Sequence, residues 1–244
     1  LARLRGVLVR PSRLDEALRK AAGRFRIATT AEGLLALGPD IVLECAGHGA
    51  MRDYACDILA SGRDLVTSSV GVLADGDFSG RLMRAAKPPA DLWIASGAIA
   101  GIDGLLAART AGLRQVTYTS IKPPLAWVGT PAEARVRAEC STILFEGTAR
   151  DAALAYPQNV NVGATVALAG VGLDRTLVRL VSDPAASGPL GIVEAEGTFG
   201  RMRFEILAYA SPQNPKTSLL TAHSMLASVL EGCRFSGLQA LARR

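Results

Sequence analysis

Short metal-ligand spacings are missing from this chain, and their absence excludes the commonest metal sites. Its 244 residues contain two histidines and four cysteines, and the cysteines are widely separated, with no C-x-x-C pair among them. Structural zinc sites need cysteine and histidine ligands at short, regular intervals, so we expect no metal. Isolated thiols of this kind are usually small buried residues of a reducing compartment. We therefore expect four free, buried cysteines.

Long apolar runs and clusters of lysine are also missing. No apolar run reaches the roughly 18 to 20 residues that cross a bilayer, and the first ten residues do not resemble a signal peptide, so we expect a cytoplasmic protein without a membrane partner. The formal net charge of +5 rests on 27 basic residues, of which only four are lysine, scattered among 22 acids. Because helix-turn-helix, RNP-like and zinc-finger patterns are absent, we expect no nucleic-acid partner. The lack of a G-x-S-x-G elbow disfavours a Ser-His-Asp hydrolase.

The first part of the chain alternates short β-rich runs with helical stretches. The pattern predicts strands at 4–9, 25–28, 41–45, 64–68 and 91–95 and helices at 12–22, 50–60 and 77–86, with a further helix begun by a capping box at 29–32. The run 41–45 is too apolar for a half-solvated strand and is typical of a parallel strand covered on both faces. The predicted fold class is therefore α/β, with a Rossmann-type, doubly wound parallel sheet in a dinucleotide-binding domain at 1–112.

After residue 112 the pattern changes to longer strands, several of them without intervening helices. We predict strands at 115–121, 141–145, 176–182, 191–196 and 201–210 and covering helices at 148–155 and 162–170. This arrangement favours a second, α+β domain at 113–216 with a mostly antiparallel sheet. The segment 217–231 has the apolar spacing of a helix, and we expect 217–244 to pack back on the body of the protein.

The glycine-rich turn that should follow the first strand of such a sheet is missing. A doubly wound sheet begins with a central strand that leads into a phosphate-binding loop at a helix N-terminus, whereas this sequence opens directly in what we interpret as the second strand. The glycine cluster at 47–52 has Arg52 where the third glycine belongs. Either the first βα unit lies outside the sequence or the dinucleotide site has been lost. Because removal of a central strand would leave unpaired edges inside a sheet, we favour the first explanation.

The carboxyl ends of the predicted parallel strands mark the cofactor site, because ligands of open parallel sheets bind there. The end of the first strand carries arginines and no acid. Arginine suits the 2′-phosphate of NADP, whereas an acid would bind the ribose of NAD, so we expect NAD or NADP and favour NADP, with the alternative that Arg10 is a surface arginine. The loops at these strand ends contribute the predicted cofactor-binding residues Arg10, Ser12, Arg13, Cys45, Ala46, Gly47, Ser69 and Val70.

Several short segments are each too weak to indicate a protein family, but their order and spacing make the whole set specific. They are Leu4-Arg5-Gly6-Val7-Leu8-Val9-Arg10, Glu44-Cys45-Ala46-Gly47-His48, Ser69-Val70-Gly71, Ser96-Gly97-Ala98-Ile99-Ala100-Gly101-Ile102-Asp103, Lys122-Pro123-Pro124, Phe145-Glu146-Gly147, Pro157-Gln158-Asn159-Val160-Asn161-Val162, Val166-Ala167-Leu168-Ala169, Phe199-Gly200 and Asn214-Pro215-Lys216-Thr217-Ser218. Together they resemble the L-aspartate dehydrogenase family over almost the whole chain.

The resemblance implies an enzyme that oxidises L-aspartate with NAD(P) to iminoaspartate and then to oxaloacetate and ammonia. The implied partners are a small dicarboxylic amino acid or keto acid and a second copy of the chain in a homodimer, with 113–216 as substrate and dimerisation domain. The resemblance also implies that Ala98 and Asn161 contact the nicotinamide half of the cofactor. Alternatively, Ala98 only permits close backbone approach and Asn161 caps a helix.

One departure from this family concerns its catalytic histidine. The family places that histidine in an Asn-x-His-x-Ile segment shortly before Gly-x-Phe-Gly, here 197–200, and counting back aligns it with Gly191 and the asparagine with Pro189. Hydride leaves the α-carbon of an amine only when the nitrogen lone pair is free, so a base must accept the ammonium proton. Glycine cannot do this, and the loss of one acid-base group typically costs about 10² to 10⁴ in rate.

Other side chains are candidates for the missing roles. His48, just after the 41–45 strand, is a candidate for catalysis, against the alternative of a polar loop residue packed under the cofactor. We expect His223, on the terminal helix, to have a structural and not a catalytic role. Lys122, beside two prolines, is predicted to bind a substrate carboxylate, with a surface lysine as the alternative.

Three functions are open at this point. The first is an aspartate dehydrogenase, the second is a related dehydrogenase with a different small acid as substrate, and the third is a non-catalytic homologue that binds a nicotinamide cofactor. Turnover separates the first two from the third, and substrate choice separates the first from the second.

Overall fold

The structure is a computed structural model of the chain and describes residues 2–157, 159–211 and 214–243. The side chains of 210, 211 and 214–217 are outside this description. Gln158 of the 157–162 segment and the side chains of 214–217 in the last family-like segment therefore lie outside the described residues.

The first part of the chain alternates strands and helices as its pattern predicts. Its elements are β1 (Gly6–Leu8), α1 (Leu14–Ala21), β2 (Arg26–Ala28), α2 (Ala31–Leu35), β3 (Ile41–Glu44), α3 (His48–Ala60), β4 (Asp64–Thr67), α4 (Gly76–Ala85), β5 (Leu92–Ala95) and α5 (Ile102–Thr110). The strands β3, β4 and β5 are parallel neighbours, and β1 and β2 form a separate parallel pair. The α/β class with a Rossmann-type parallel sheet is confirmed.

The second part of the chain builds a five-stranded sheet and then returns to the first. Its elements are β6 (Leu113–Lys122), β7 (Thr142–Thr148), α6 (Ala149–Ala155), α7 (Asn161–Ala169), β8 (Leu177–Ser182), β9 (Leu190–Gly197), β10 (Gly200–Leu207), β11 (Ala210–Ser211), β12 (Asn214–Ser218), α8 (Leu219–Leu230), β13 (Arg234–Ser236) and α9 (Gly237–Leu241). In the sheet order β10-β9-β6-β8-β7, β6 is parallel to β8 and the other neighbouring pairs are antiparallel. The mostly antiparallel second sheet is confirmed, while domain boundaries at 112 and 216 stay predictions.

The C-terminal part differs from its prediction in two respects. The terminal helix begins at Leu219 and not at 217, because 214–218 form a strand and the hydroxyl of Ser218 accepts a hydrogen bond from the N–H of Leu220. After that helix the chain continues as β13, which pairs antiparallel with β5 and so extends the first sheet. The strand within this segment was not foreseen, and the domain assignment of 217–244 stays a prediction.

Three local predictions were wrong. Thr30 rather than Thr29 caps α2, since its hydroxyl accepts from the N–H of Gly33 at 3.1 Å, so no capping box forms at 29–32. The strand expected to run to 210 ends at Leu207. The four cysteines are free, as expected, but only Cys56 is partly buried, and Cys45, Cys140 and Cys233 are exposed.

In the described part of the chain, no helix combines the length and the apolar character needed to span a membrane.

One hydrophobic core joins the two sheets. It contains buried side chains from both sheets and from the helices between them, among them Leu65, Leu92, Leu105, Val116, Val166 and Val193.

The residue before α5 packs closely against β10 of the second sheet. Gly101 has φ of 76°, and a Cβ atom there would lie 2.4 Å from the ring of Phe204 on β10. Only glycine satisfies both the backbone conformation and the contact.

Replacing Gly101 by alanine tests this junction, and Gly62 provides the matched control. Gly62 has φ of 78° but nothing within 4 Å of a built Cβ atom. We expect Gly62→Ala to lose about 1–2 kcal/mol of unfolding free energy from backbone strain alone, and Gly101→Ala to lose a further 1–3 kcal/mol or so from overpacking. Urea denaturation measures both. Equal losses in the two variants would contradict the packing described for Phe204.

Candidate active site

Glu44 closes the loop that follows β3. Its buried carboxylate accepts hydrogen bonds from the backbone N–H groups of Ala46 at 2.6 Å and Gly47 at 2.7 Å, and from the hydroxyl of Thr67 on β4 at 2.8 Å. Gly47 has φ of 105°, which favours glycine, and lets the chain turn directly into α3. Because Glu44 occupies both backbone donors, this loop is not a phosphate cradle. A cofactor would contact Ala46 and Gly47 through their other atoms.

Asn161, the first residue of α7, joins that helix to two loops of the parallel sheet. Its Oδ1 atom accepts a hydrogen bond from the N–H of Gly71 at 2.8 Å and lies 2.9 Å from Nε2 of His48, the first residue of α3. A Cβ atom at 71 would lie 3.0 Å from both Asn161 Oδ1 and the His48 ring, so glycine permits the three groups to meet. The side chain of Asn161 does not cap α7, and the alternative interpretation of this residue as a helix cap was wrong.

The partners of Asn161 also decide the tautomer of His48. Because Oδ1 already accepts from a backbone N–H, the atom that faces the imidazole is an oxygen, and Nε2 must donate to it. In the neutral ring, Nδ1 is then the unprotonated nitrogen. His48 is therefore a positioning residue. It holds the Asn161 amide through Oδ1 and leaves Asn161 Nδ2 available as a donor.

The turn at 96–99 lies against α7 and α8. Gly97 has φ of 72°, its N–H donates to Oγ of Ser224 on α8 at 3.1 Å, and a Cβ atom on it would lie 4.0 Å from Val162 of α7. Ala98 is half-buried and Ile99 is buried. The turn thus presents a small residue beside the helix that begins with Asn161.

Gly191 lies on β9 between that turn and β6. A Cβ atom there would lie 3.2 Å from Cδ1 of Ile99 and 3.4 Å from the hydroxyl of Tyr118. Burial raises the pKa of Tyr118 to about 12. The position aligned with the family histidine therefore faces the turn that carries Ala98, but it contributes no side chain.

Lys122 ends β6 and is half-buried. Its Nζ donates a hydrogen bond to Oδ1 of Asn159 at 3.3 Å and lies 5.4 Å from the centre of the Trp127 ring. Burial lowers the pKa of this amine to about 8. No ion pair of the described residues involves Lys122, and its half-burial speaks against the alternative of a freely exposed surface lysine.

The start of α7 brings Asn161, His48 and Lys122 together with the turn that carries Ala98. Residues 159–163 touch Lys122, His48, Tyr118 and the turn that carries Ala98. A side-chain amide, an imidazole and an amine with no carboxylate partner therefore lie around one segment. A groove of about 490 Å³ along 75–84 includes none of these residues in its lining.

The predicted phosphate-side residues are not part of this cluster. Arg10, Ser12 and Arg13 are exposed on the turn after β1, and Arg13 pairs with Glu16 at 2.6 Å. No hydrogen bond or ion pair of the described residues joins them to 159–163. Their roles toward a cofactor stay predictions.

The remaining predicted residues differ in how far they reach the surface. Cys45 is exposed, whereas Ser69 and Val70 have only 4% and 1% of their surface exposed. His223 is exposed on α8 beside Ser224, which holds the 96–99 turn. Cofactor contacts of Cys45, Ser69 and Val70 stay predictions.

Sequence reasoning missed four residues that shape the site. A signal existed for Glu44, a charged residue in the apolar run 41–45, and for Asn159, which stands two positions before Asn161 in a family-like segment. Tyr118 and Trp127 gave no signal, because their roles depend on the pairing of β6 with β9 and on the turn after β6.

Comparison with known proteins connects this geometry to a family. A profile described as the C-terminal part of aspartate dehydrogenase matches residues 103–232, and one described as the NAD-binding domain of homoserine dehydrogenase matches residues 2–90. An L-aspartate dehydrogenase of Ruegeria pomeroyi is 45% identical over 230 residues, which cover 93% of this chain and 82% of that protein. An L-aspartate dehydrogenase of Ralstonia nicotianae is 46% identical over 194 residues, which cover 77% of this chain and 72% of that protein.

A solved structure shares the fold. The crystal structure of aspartate dehydrogenase from Thermotoga maritima matches with a TM-score of 0.70 and 24% identity, covering 94% of this chain and 97% of that chain. The α/β architecture described above is therefore also that of the Thermotoga protein.

The tautomer of His48 is directly measurable, because the chain contains only two histidines. We expect the ¹⁵N shifts of neutral His48 to show a protonated Nε2 and an unprotonated Nδ1, and we expect Asn161→Ala to weaken this preference and to speed hydrogen exchange of the Gly71 amide. The exposed His223 is the internal control and should not respond to Asn161→Ala. A protonated Nδ1 in neutral His48 would contradict the hydrogen bonding described here.

Proposed function

The chain belongs to the L-aspartate dehydrogenase family, and on that premise we propose that it oxidises L-aspartate to iminoaspartate, which water converts to oxaloacetate and ammonia. It is an NAD(P)-dependent oxidoreductase. When bound, the nicotinamide supplies the acceptor for the hydride that leaves the α-carbon. The observation that carries the proposal is the convergence of the 96–99 turn, the start of α7 and the end of β6 on one region.

The residues of this region fit a nicotinamide ring. Asn161 is held through Oδ1 by two partners, so its Nδ2 is free to donate to a carboxamide oxygen. Ala98 is small and half-buried, so a flat ring can approach the turn closely. We assign Asn161 and Ala98 to the nicotinamide half of the cofactor, and Lys122 to the substrate.

A homodimer remains part of the proposal because it is implied by the family. The second domain, 113–216, would then provide the substrate site and the contacts between copies. The exposed Leu219, Leu220, Leu226 and Leu230 lie on α8, outside that domain, and would be available for a further contact between copies.

A second candidate function is supported by the departures at Pro189 and Gly191. With no side chain at 191, the space between Ile99 and Tyr118 lacks an imidazole, which is compatible with a different small acid as substrate or with cofactor binding without turnover. The choice depends on whether another group accepts the proton.

Ammonia-dependent turnover tests the proposal. The full-length natural protein is incubated with oxaloacetate and NADPH or NADH, with and without ammonium, and cofactor oxidation is followed by absorbance. We expect oxidation only when ammonium is present. Oxidation with oxaloacetate alone would favour the different-substrate alternative, and cofactor binding without oxidation would favour the non-catalytic one.

Arg10 tests the choice of cofactor. It is exposed at the carboxyl end of β1 and has no ion-pair partner among the residues described. If it binds the 2′-phosphate of NADP, Arg10→Ala should weaken NADPH binding about tenfold to a hundredfold and leave NADH binding unchanged. Fluorescence titration with each cofactor measures this, and Arg19→Ala on α1 is the control. Unchanged binding of both cofactors would assign Arg10 to the surface.

A further inference from the structure

Lys122 lies on the same face of the second sheet as the tyrosine and glycine of the site. Tyr118, Ser120 and Lys122 alternate along β6, and alternate residues of a strand point to one face. Ser120 is opposite Gly191 in the antiparallel pair, so both share that face. The face is turned toward α7, since a Cβ atom on Gly163 would lie 3.1 Å from the Tyr118 ring. The amine of Lys122 therefore points to the space between the second sheet and the start of α7.

Two buried polar groups beside Lys122 have no hydrogen-bond partner within the described ranges. Ser182 on β8 is the register partner of Lys122, and its buried Oγ is unpaired. Trp127, over whose ring the Lys122 amine lies, is fully buried with an unpaired Nε1. Both atoms are enclosed by protein, so they belong to the buried surroundings of the Lys122 amine and not to a surface that a substrate would contact.

No carboxylate of the described residues forms an ion pair with Lys122. The elements packed around β6 contribute three titratable groups to its surroundings: Tyr118 on its own strand, Asp183 just after β8, and His48 beyond Asn161. None of them pairs with it, and Asp183 instead accepts a hydrogen bond from a backbone N–H two residues on. Burial without a carboxylate partner destabilises the protonated amine, and the pKa of Lys122 falls to about 8.

Tyr118, the titratable neighbour of Lys122 on the same strand, is poorly suited to accept a proton. Tyr118, with its pKa raised to about 12, already holds its proton at neutral pH. His48 donates through Nε2 to Asn161 and holds that amide in place. Lys122 is the amine on the face shared with Gly191, and no ion pair of the described residues involves it.

We propose that Lys122 is a catalytic residue, whose neutral amine accepts the proton of the substrate α-ammonium before hydride transfer. This inference rests on the proposed function and replaces the role of carboxylate binding that the sequence suggested for Lys122. The proton moves from the substrate nitrogen to Nζ. The freed lone pair then forms the C=N bond as hydride leaves the α-carbon with its bonding electrons for the oxidised nicotinamide, which gives iminoaspartate protonated at nitrogen (the iminium form) and a protonated Lys122.

The two roles of Lys122 predict opposite dependences on pH. A base must be neutral, so kcat/KM for aspartate oxidation should rise with pH through about 8 and then level off. A cation that binds a carboxylate must be protonated, so kcat/KM should instead fall above about 8. The direction of the change therefore distinguishes proton transfer from charge pairing.

The test compares the unmodified full-length protein with Lys122→Arg and Lys122→Met. Arginine keeps the positive charge but cannot lose its proton, whereas methionine removes the charge at similar length. We expect Lys122→Arg to lower kcat by about 10² to 10⁴, to abolish the rise of kcat/KM near pH 8 and to leave NADPH and NADH binding unchanged. The control Lys87→Arg changes an exposed lysine and should keep the full pH profile.

Four lysines allow a second readout that does not require activity. The ¹³Cε and ¹⁵Nζ shifts of the unmodified protein, assigned with Lys122→Met, should show one lysine that titrates near 8. Retained turnover in Lys122→Arg, a fall of kcat/KM above 8, or titration of Lys122 in the ordinary lysine range would each overturn the assignment while leaving the proposed function intact. Absence of ammonia-dependent turnover in the unmodified protein would overturn the proposed function and, with it, this role of Lys122.

Discussion

The arrangement of the site depends on one amide oxygen. Asn161 Oδ1 accepts from a backbone N–H after β4 and from the imidazole at the start of α3, so α7 of the second domain is fixed to two loops of the first. An amide oxygen has two lone pairs, and both are used. Any rotation of this side chain would leave the buried donors unpaired, which is unfavourable. The position of α7 relative to the parallel sheet is therefore defined by polar contacts as well as by apolar packing.

Several features of the site follow from that position of α7. The loop before the helix carries Asn159 to the Lys122 amine, and the first turn brings Val162 to the 96–99 turn. Glu44 supports the same arrangement, because it accepts hydrogen bonds from the backbone of the loop before α3, and His48 is the first residue of that helix. The side chains of Asn161 and Lys122 are thus oriented by hydrogen bonds to neighbouring residues.

Periodicity and composition predict the fold well because they report on burial. The apolar run 41–45 identifies a strand covered on both faces, and the change of pattern after 112 identifies a second sheet. The same signals fail where pairing between distant segments decides the structure. The strand β13 is too short to show a pattern, and the roles of Tyr118 and Trp127 depend on how β6 pairs and ends. Of the site, Asn161, His48 and Lys122 could be found from segments and residue chemistry, but their mutual contacts and the unpaired polar groups around Lys122 could not.

The return of the chain to its first sheet has a consequence for the order of folding. β13 pairs with β5, and Arg234 is the register partner of Ala95, so this contact joins segments that are far apart in the sequence. During synthesis from the N-terminus, β3, β4 and β5 are available long before β13, and the edge of β5 stays open until β13 has been made. Contacts of such long sequence separation slow folding and leave strand edges exposed to other chains. β13 therefore covers the edge of β5 only after it has been made, and until then that edge is exposed to other chains.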